Sequence, residues 1–170
     1  MLNAKPTIER LRTLLEERDG VLYWRQRSNP HSSMQAGDRA GRVNDKGYVT
    51  VRVDGVVLRG HAIVLALHYG AYPEGMLDHR NRCRSDNRIE NLRPATNSAN
   101  NANRASSRIS TSKYLGVSWK KQIGAWRATI TKDGRHVFLG HFHSEIEAAV
   151  AYNNAAQRHH GQFACLNDVP

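Results

Sequence analysis

The chain has 170 residues, with 25 Lys and Arg against 15 Asp and Glu, and a formal net charge of +10 before any histidine is protonated. That length holds one medium domain or two small ones and excludes a large single-core enzyme. The charge excess points first to nucleic acid, since the basic amphipathic helix or polybasic tail of a membrane binder is missing, and two distant cysteines, Cys83 and Cys165, support neither a multi-cysteine zinc site nor a disulfide scaffold.

The start, MLNAKPTIERLRTLLEERDG, carries charges where a signal peptide needs its apolar stretch, and no run of 18 uncharged apolar residues occurs. An intracellular protein without a membrane partner is the expectation. Residues 7 to 18 place Ile8, Leu11, Leu14 and Leu15 on one helical stripe, with Thr7 as N-cap. Residues 21 to 24, VLYW, read as a strand, and the polar stretch to Gly41 reads as loop, with Arg39 and Arg42 as minor-groove or phosphate contacts. Val49, Val51 and Val53 alternate with Tyr48, Thr50 and Arg52, and Asp54-Gly55 turns the chain into a second strand, VVLR. His61 to Tyr69 is an apolar helix stopped by Gly70, on which His61 and His68 read as packing residues.

From Gly75 the composition changes: Arg80, Arg82, Arg84, Arg88 and Arg93 crowd into a segment rich in carboxamides and poor in apolar residues. Asp78-His79 falls at the end of a short strand, and Thr96 caps a short helix from Asn97 to about Arg104 that carries Asn100. A carboxylate and a carboxamide oxygen are hard ligands suited to Mg²⁺, a neighbouring imidazole can take a proton from water, and arginines can hold phosphates.

Residues 106 to 112 are small and polar and read as a linker. Both sides of it are net positive, so the basic character is not confined to one tail. Three short strands follow, YLGVSWKK, AWRATITKD and RHVFLGHF, turned at Gly124 and at Asp133-Gly134. The closing helix has a capping box in Ser144 and Glu147, a stop in Gly161, and an apolar stripe of Ile146, Ala149, Val150, Tyr152 and Ala156. On the middle strand Trp126, Ala128 and Ile130 share one face, to pack on the helix with Val137 and Leu139. Arg127, Thr129 and Thr131 share the other face, with Lys120, His136 and Phe138. Trp119 fits either the core edge or a backbone contact.

Residues 47 to 104 resemble the HNH endonucleases of phage and intron-encoded homing enzymes. The likeness rests on Gly47-Tyr48-Val49, on Gly70-Ala71-Tyr72-Pro73, on Glu74-Gly75-Met76-Leu77-Asp78-His79, and on Asn87-Arg88-Ile89-Glu90-Asn91-Leu92-Arg93 with the later Asn100. It implies a ββα-metal core at about 75 to 104 within a nuclease domain of residues 1 to 105. His79 would activate water as general base, Asn91 would tie the catalytic hairpin together, and Asp78 and Asn100 would hold Mg²⁺ or Mn²⁺ against the scissile phosphate. Arg82, Arg84 and Arg93 are the phosphate contacts that fit this arrangement. The loop after His79 departs from the family: it reads Asn81-Arg82-Cys83 where Asp-Gly-Asn is usual, and Asp86 stands where asparagine is common.

Residues 113 to 167 resemble the AP2 domain, on Tyr114-Leu115-Gly116-Val117, Gly124-Ala125-Trp126-Arg127-Ala128, Phe138-Leu139-Gly140-His141-Phe142, and Glu147 through Ala156 with Leu166-Asn167. The resemblance implies that the sheet face of Lys120, Arg127, Thr129, Thr131, His136 and Phe138 meets double-stranded DNA. The expected fold class is therefore α+β: a ββα-metal nuclease domain followed by a three-stranded antiparallel sheet packed on one helix. The two resemblances together imply a metal-dependent, site-preferring DNA endonuclease of homing or nicking type, encoded by phage or host and acting in the cytoplasm of a bacterial cell, as a monomer or a homodimer. A catalytically silenced DNA-binding or regulatory protein is the alternative, and a structure-specific or RNA-directed nuclease a third reading.

Overall fold

Positive-φ turns and helix caps, both set by residues close in sequence, fix most of the elements, and long-range packing adjusts the rest. The computed structural model describes residues 4–27, 33–103 and 111–170. Contacts divide the chain into two compact units, Met1–Pro94 and Ala95–Pro170. The architecture is α+β in both.

In the first unit, helix α1 spans Ile8–Leu14, with the Thr7 hydroxyl accepting from Arg10 N at 3.1 Å. The helix expected to reach residue 18 stops four residues early. Leu15–Arg18 is instead strand β1, paired antiparallel with β2, Val21–Trp24, across Asp19-Gly20, both at positive φ. Two consecutive left-handed residues match the twist of a two-residue hairpin. The pairing sets buried Leu15 opposite buried Trp24, which outweighs the helical propensity of the leucine run. Gly20 is required there, because a Cβ would collide with the backbone of Asn87 and Arg88. The N-terminal hairpin thereby braces the segment that carries Asn87.

Strands β3 (Arg42–Val43), β4 (Val49–Val53) and β5 (Val56–Arg59) form a sheet in that order, with β4 and β5 joined at Asp54-Gly55 as the sequence predicts. Helix α2, Gly60–Tyr69, follows β5 at once and ends at Gly70 in the left-handed region. Leu11, Leu14, Trp24, Val51, Ile63 and Val64 form the centre of one core between these elements. Burying several such side chains, each contributing about 1.5–3 kcal/mol, drives this unit together. Strand β6, Met76–His79, pairs with β7, Leu92–Ala95, in a two-stranded sheet, the connection ending in a 3₁₀ turn at Ile89–Asn91.

The second unit opens with helix α3, Asn97–Ala102, capped by a bond from Ala99 N to Thr96 Oγ1. The predicted end of this helix at Arg104 and linker residues 106–110 lie outside the described residues. Strands β8 (Val117–Lys120), β9 (Ala125–Lys132) and β10 (Arg135–Phe142) form an antiparallel sheet with β9 central, and helix α4, Glu145–His160, packs on it with the predicted capping box in place. Ala148, Ala149, Ala155 and Ala156 are the buried small residues of α4, beside Tyr152. Ile146 and Val150, expected in the stripe, stay exposed, because the face turned to the sheet runs through Ala148, Ala149, Tyr152, Ala155 and Ala156 instead. Gly116 sits at φ +70 under that helix, where a Cβ would meet the Tyr152 ring. Asn167 closes the unit by pairing its amide with both peptide groups of Leu115, while Asn153 holds the Asn167 backbone at 2.7 and 2.9 Å.

Candidate functional site

His79 is the last residue of β6, 4% exposed, and Asp78 beside it is 7% exposed. The His79 Nε2 lies 3.2 Å from Asn87 Oδ1. With the proton assigned to Nε2 for that bond, Nδ1 is the basic nitrogen of the ring. Burial pushes the His79 imidazole below its ordinary value, opposed by the Asn87 bond and the Asp78 charge, so the neutral, proton-accepting form prevails at neutral pH. Asn87 is itself buried and was not singled out in the sequence; its signal was only its place in the Asn87-to-Arg93 run.

Two further residues reach His79 from earlier elements. The His61 ring, in the first turn of α2, stands edge-on to His79 with centroids 5.2 Å apart, and Tyr48, just before β4, lies 6.0 Å from His79 and 5.7 Å from His61. Burial, then the charges of His79 and Arg59, holds His61 down at about 4. The packing role read for His61 is thus packing against the candidate catalytic imidazole. Gly60 makes this approach possible, because a Cβ there would come within 2.9 Å of Asn87 Nδ2 and 3.0 Å of Val49.

Asp78 Oδ2 accepts from Arg93 Nε at 2.8 Å and from Arg93 Nη2 at 2.5 Å, in a pair buried on both sides. Arg93, expected at a phosphate, is 6% exposed and held by Asp78. Asn91 makes two bonds within the connection: its Nδ2 donates to Asp86 O at 2.7 Å, and its Oδ1 accepts from Asn81 N at 3.0 Å. Arg82 and Arg84 are exposed. Arg82 adopts φ +64, a left-handed conformation that glycine takes at no cost, and its N–H donates to His79 O at 2.9 Å. Arg84 donates to Lys46 O at 2.9 Å and lies over the Tyr48 ring at 5.0 Å. Asp86 is held low by its bonds to Arg88 and Asn81. Asn100 is half-buried on α3, in the second unit.

Among the described residues no three His, Cys, Asp or Glu side chains gather as a metal-ligating group. The donor types of Asp78 and Asn100, carboxylate and carboxamide oxygen, suit in kind a hard divalent cation that keeps several waters. Asp78 would share its charge between such an ion and Arg93.

In the second unit, residues opposite each other in an antiparallel pair project to the same side. The pairs His136 with Thr131, Phe138 with Thr129, and Ser118 with Arg127 therefore set the expected side chains on one face, joined by Lys120 opposite Ala125. Thr131 Oγ1 and His136 Nδ1 are 3.1 Å apart, and the Arg127 guanidinium lies 5.5 Å from the centre of the Phe138 ring. Phe138 is 52% exposed. The Thr129 hydroxyl donates to Gly116 O at 3.5 Å. Trp126 and Leu139 pack against the helix-side core as predicted, whereas Val137 stays 36% exposed near the end of its strand. Trp119 pairs with Trp126 on that same side, ring centroids 5.1 Å apart, and so belongs to the core edge.

The sequence reading missed His141. Simple alternation along β10 turns it toward the helix, but a bulge between Phe138 and Gly140 shifts the register, pairs His141 with Arg127 on the outer face, and brings it 4.9 Å from the Phe138 ring. The signal available was Gly140, which adopts φ +141 at the bulge.

No helix among the described residues is long and apolar enough to cross a membrane. Residues 59–102 match the family model described as HNH endonuclease. An AP2-like ethylene-responsive transcription factor of Arabidopsis thaliana, TOE2, is 37% identical over 62 residues, 36% of this chain and 13% of that protein. Protein 3.8 of Escherichia phage T7 is 33% identical over 109 residues, 62% of this chain and 88% of that protein. No solved structure matches. Identity at this level along nearly the whole of the phage protein places the chain in the family of phage T7 protein 3.8, and residues 59–102 within it are similar to the HNH endonuclease family.

Proposed function

We propose that the chain is a metal-dependent DNA endonuclease, site-preferring and of homing or nicking type, in which residues 1–105 cut and residues 113–167 grip double-stranded DNA. The observation that carries the reading is the buried His79, held neutral by its surroundings and oriented through Nε2 by Asn87, at the end of the strand that also presents Asp78. The HNH endonuclease match over residues 59–102 supports it independently.

His79 Nδ1 takes a proton from water as the oxygen attacks phosphorus, and the 3′ oxygen leaves. Asp78 and Asn100 would hold Mg²⁺ or Mn²⁺, which supplies positive charge to offset the developing charge on the phosphate and the leaving oxygen. Asn91 keeps the β6–β7 connection closed, so that His79 and Asp78 stay at one strand end. Arg82 and Arg84, exposed on the same connection, contact phosphates outside the reacting bond. The outer sheet face of Lys120, Arg127, Thr129, Thr131, His136 and Phe138 enters the major groove, where a sheet reaches both phosphates and base edges. One such site cuts one strand at a time.

The test is cleavage of supercoiled plasmid and phage genomic DNA with Mg²⁺, with Mn²⁺ and with EDTA, comparing wild type with His79→Ala. Metal-dependent nicking by wild type alone is the expected result. Tight DNA binding with no nicking in either metal would instead favour a catalytically silenced binding protein, a reading supported by the Asn81-Arg82-Cys83 loop and by the engagement of Asp78 with Arg93.

A further inference from the structure

Three buried side-chain nitrogens among the described residues have no hydrogen-bond partner: Trp24 Nε1, Arg59 Nη1 and Arg127 Nε. Arg127 belongs to the proposed DNA face, whereas Arg59 has entered only as a charge near His61. A buried guanidinium N–H without an acceptor is costly, and in native proteins water, an ion or a ligand completes it.

The surroundings of Arg59 indicate which ligand. Its Cζ lies 4.5 Å from the centre of the Tyr48 ring, and Arg84 occupies the same ring at 5.0 Å. Two guanidinium groups thus share one aromatic ring, and among the described residues neither is paired with a carboxylate. That ring belongs to the group formed by Tyr48, His61 and His79, and the Arg59 charge is felt at His61. Arg59 is also the N-cap of α2, makes no side-chain capping bond, and is followed by a first turn without an acidic residue. Positive charge without a carboxylate partner and an orphaned donor, set beside the His61 and His79 rings, make a setting complementary to a phosphodiester anion.

We propose that Arg59 binds a phosphate of the nucleic-acid substrate at the His79 site, with Tyr48 as the platform that holds its guanidinium flat and Arg84 as its neighbour on the same ring. The inference deepens the nuclease reading and rests on it for the identity of the substrate. Arg59 ends β5 and directly precedes α2, whose first residue, Gly60, packs closely on Val49 of β4 and on Asn87, so its backbone position is set before DNA arrives.

The test uses the full chain and two readouts. Binding to a fluorescein-labelled duplex is followed in EDTA across a NaCl series, for wild type, Arg59→Gln, Arg59→Met and the control Arg10→Gln. Losing one phosphate contact lowers the slope of log Kobs against log salt by about 0.9. That loss is expected in both Arg59 variants and not in the control, whose arginine pairs with Asp54. Nicking of supercoiled plasmid in Mg²⁺ is expected to fall by about 10²-fold in the Arg59 variants, with melting curves confirming that they fold. Wild-type slopes in both Arg59 variants would overturn the proposal. A wild-type chain that nicks nothing, while the Arg59 variants still lose slope, would sink the nuclease reading and leave the phosphate contact standing.

Discussion

Replacing Arg93 by Gln tests whether this arginine is a structural partner of Asp78 or a contact to DNA. Both side chains are more than nine-tenths buried, and Asp78 Oδ2 takes two N–H bonds from the guanidinium. Removing one member of such a pair leaves the other charge buried beside a neutral amide, which costs about 3–5 kcal/mol. Against a total stability of about 5–15 kcal/mol this is a large fraction. For a unit of this size it corresponds to a fall in Tm on the order of 15–30 °C. Asp78→Asn should cost a similar amount, because it strands the guanidinium instead. The double variant should be less damaged than the two single losses imply, with a coupling of about 2 kcal/mol. Thermal and urea unfolding of the full chain, followed by circular dichroism and by tryptophan fluorescence, measures all three; Trp24 is the buried reporter of the first unit. The salt slope of DNA binding should not change in Arg93→Gln. An Arg93→Gln protein that melts within about 2 °C of wild type, well short of the shift expected for a broken buried pair, and loses about 0.9 of the slope would refute the structural assignment.

Other substitutions reach different parts of the molecule. His61 titrates at about 4 in the folded chain against 6.5 when exposed, so its contribution is complete above 6.5 and is lost as the pH falls toward 4. The loss is about 3 kcal/mol, and His61→Asn should flatten the pH dependence of unfolding between those limits; an unchanged profile would refute the assignment. Arg82→Gly removes a left-handed penalty of about 1–2 kcal/mol and restores backbone freedom to the unfolded chain, for a net gain of about 0.5–1 kcal/mol in chemical denaturation; a loss of stability would show that the Arg82 side chain holds the turn. Gly116→Ala forces a Cβ into Tyr152 at positive φ and should unfold the second unit, seen as loss of its tryptophan signal. His141→Ala should weaken duplex binding, an effect shared with Phe138→Ala, since the bulge sets both on the outer face; affinity unchanged in both would remove this face from the DNA interface.

The elements written in a few neighbouring residues were legible. Asp54-Gly55 and Asp133-Gly134 turn their hairpins, Gly70 stops α2, and Ser144 with Glu147 caps α4, because each of these depends on backbone angles and bonds within one turn of chain. Asp19-Gly20 carried the same signal, but the leucine pattern before it was stronger, and only the burial of Leu15 against Trp24 decided for the strand.

The site itself divides along the same line. The run from Asp78 to Asn91 announced its residue types, and alternation along β9 announced the outward face of Arg127, Thr129 and Thr131. Which partner each charged or ring side chain takes was not written locally. Asp78 meets Arg93 fifteen residues on, His61 meets His79 from another element, Arg59 meets Tyr48 from the neighbouring strand, and one inserted residue at Leu139 returns His141 to the outer face. Local sequence fixes backbone angles because those energies are paid within a turn of chain. Side-chain partnership is fixed by packing and by charge satisfaction between distant segments, and only the assembled fold supplies those distances.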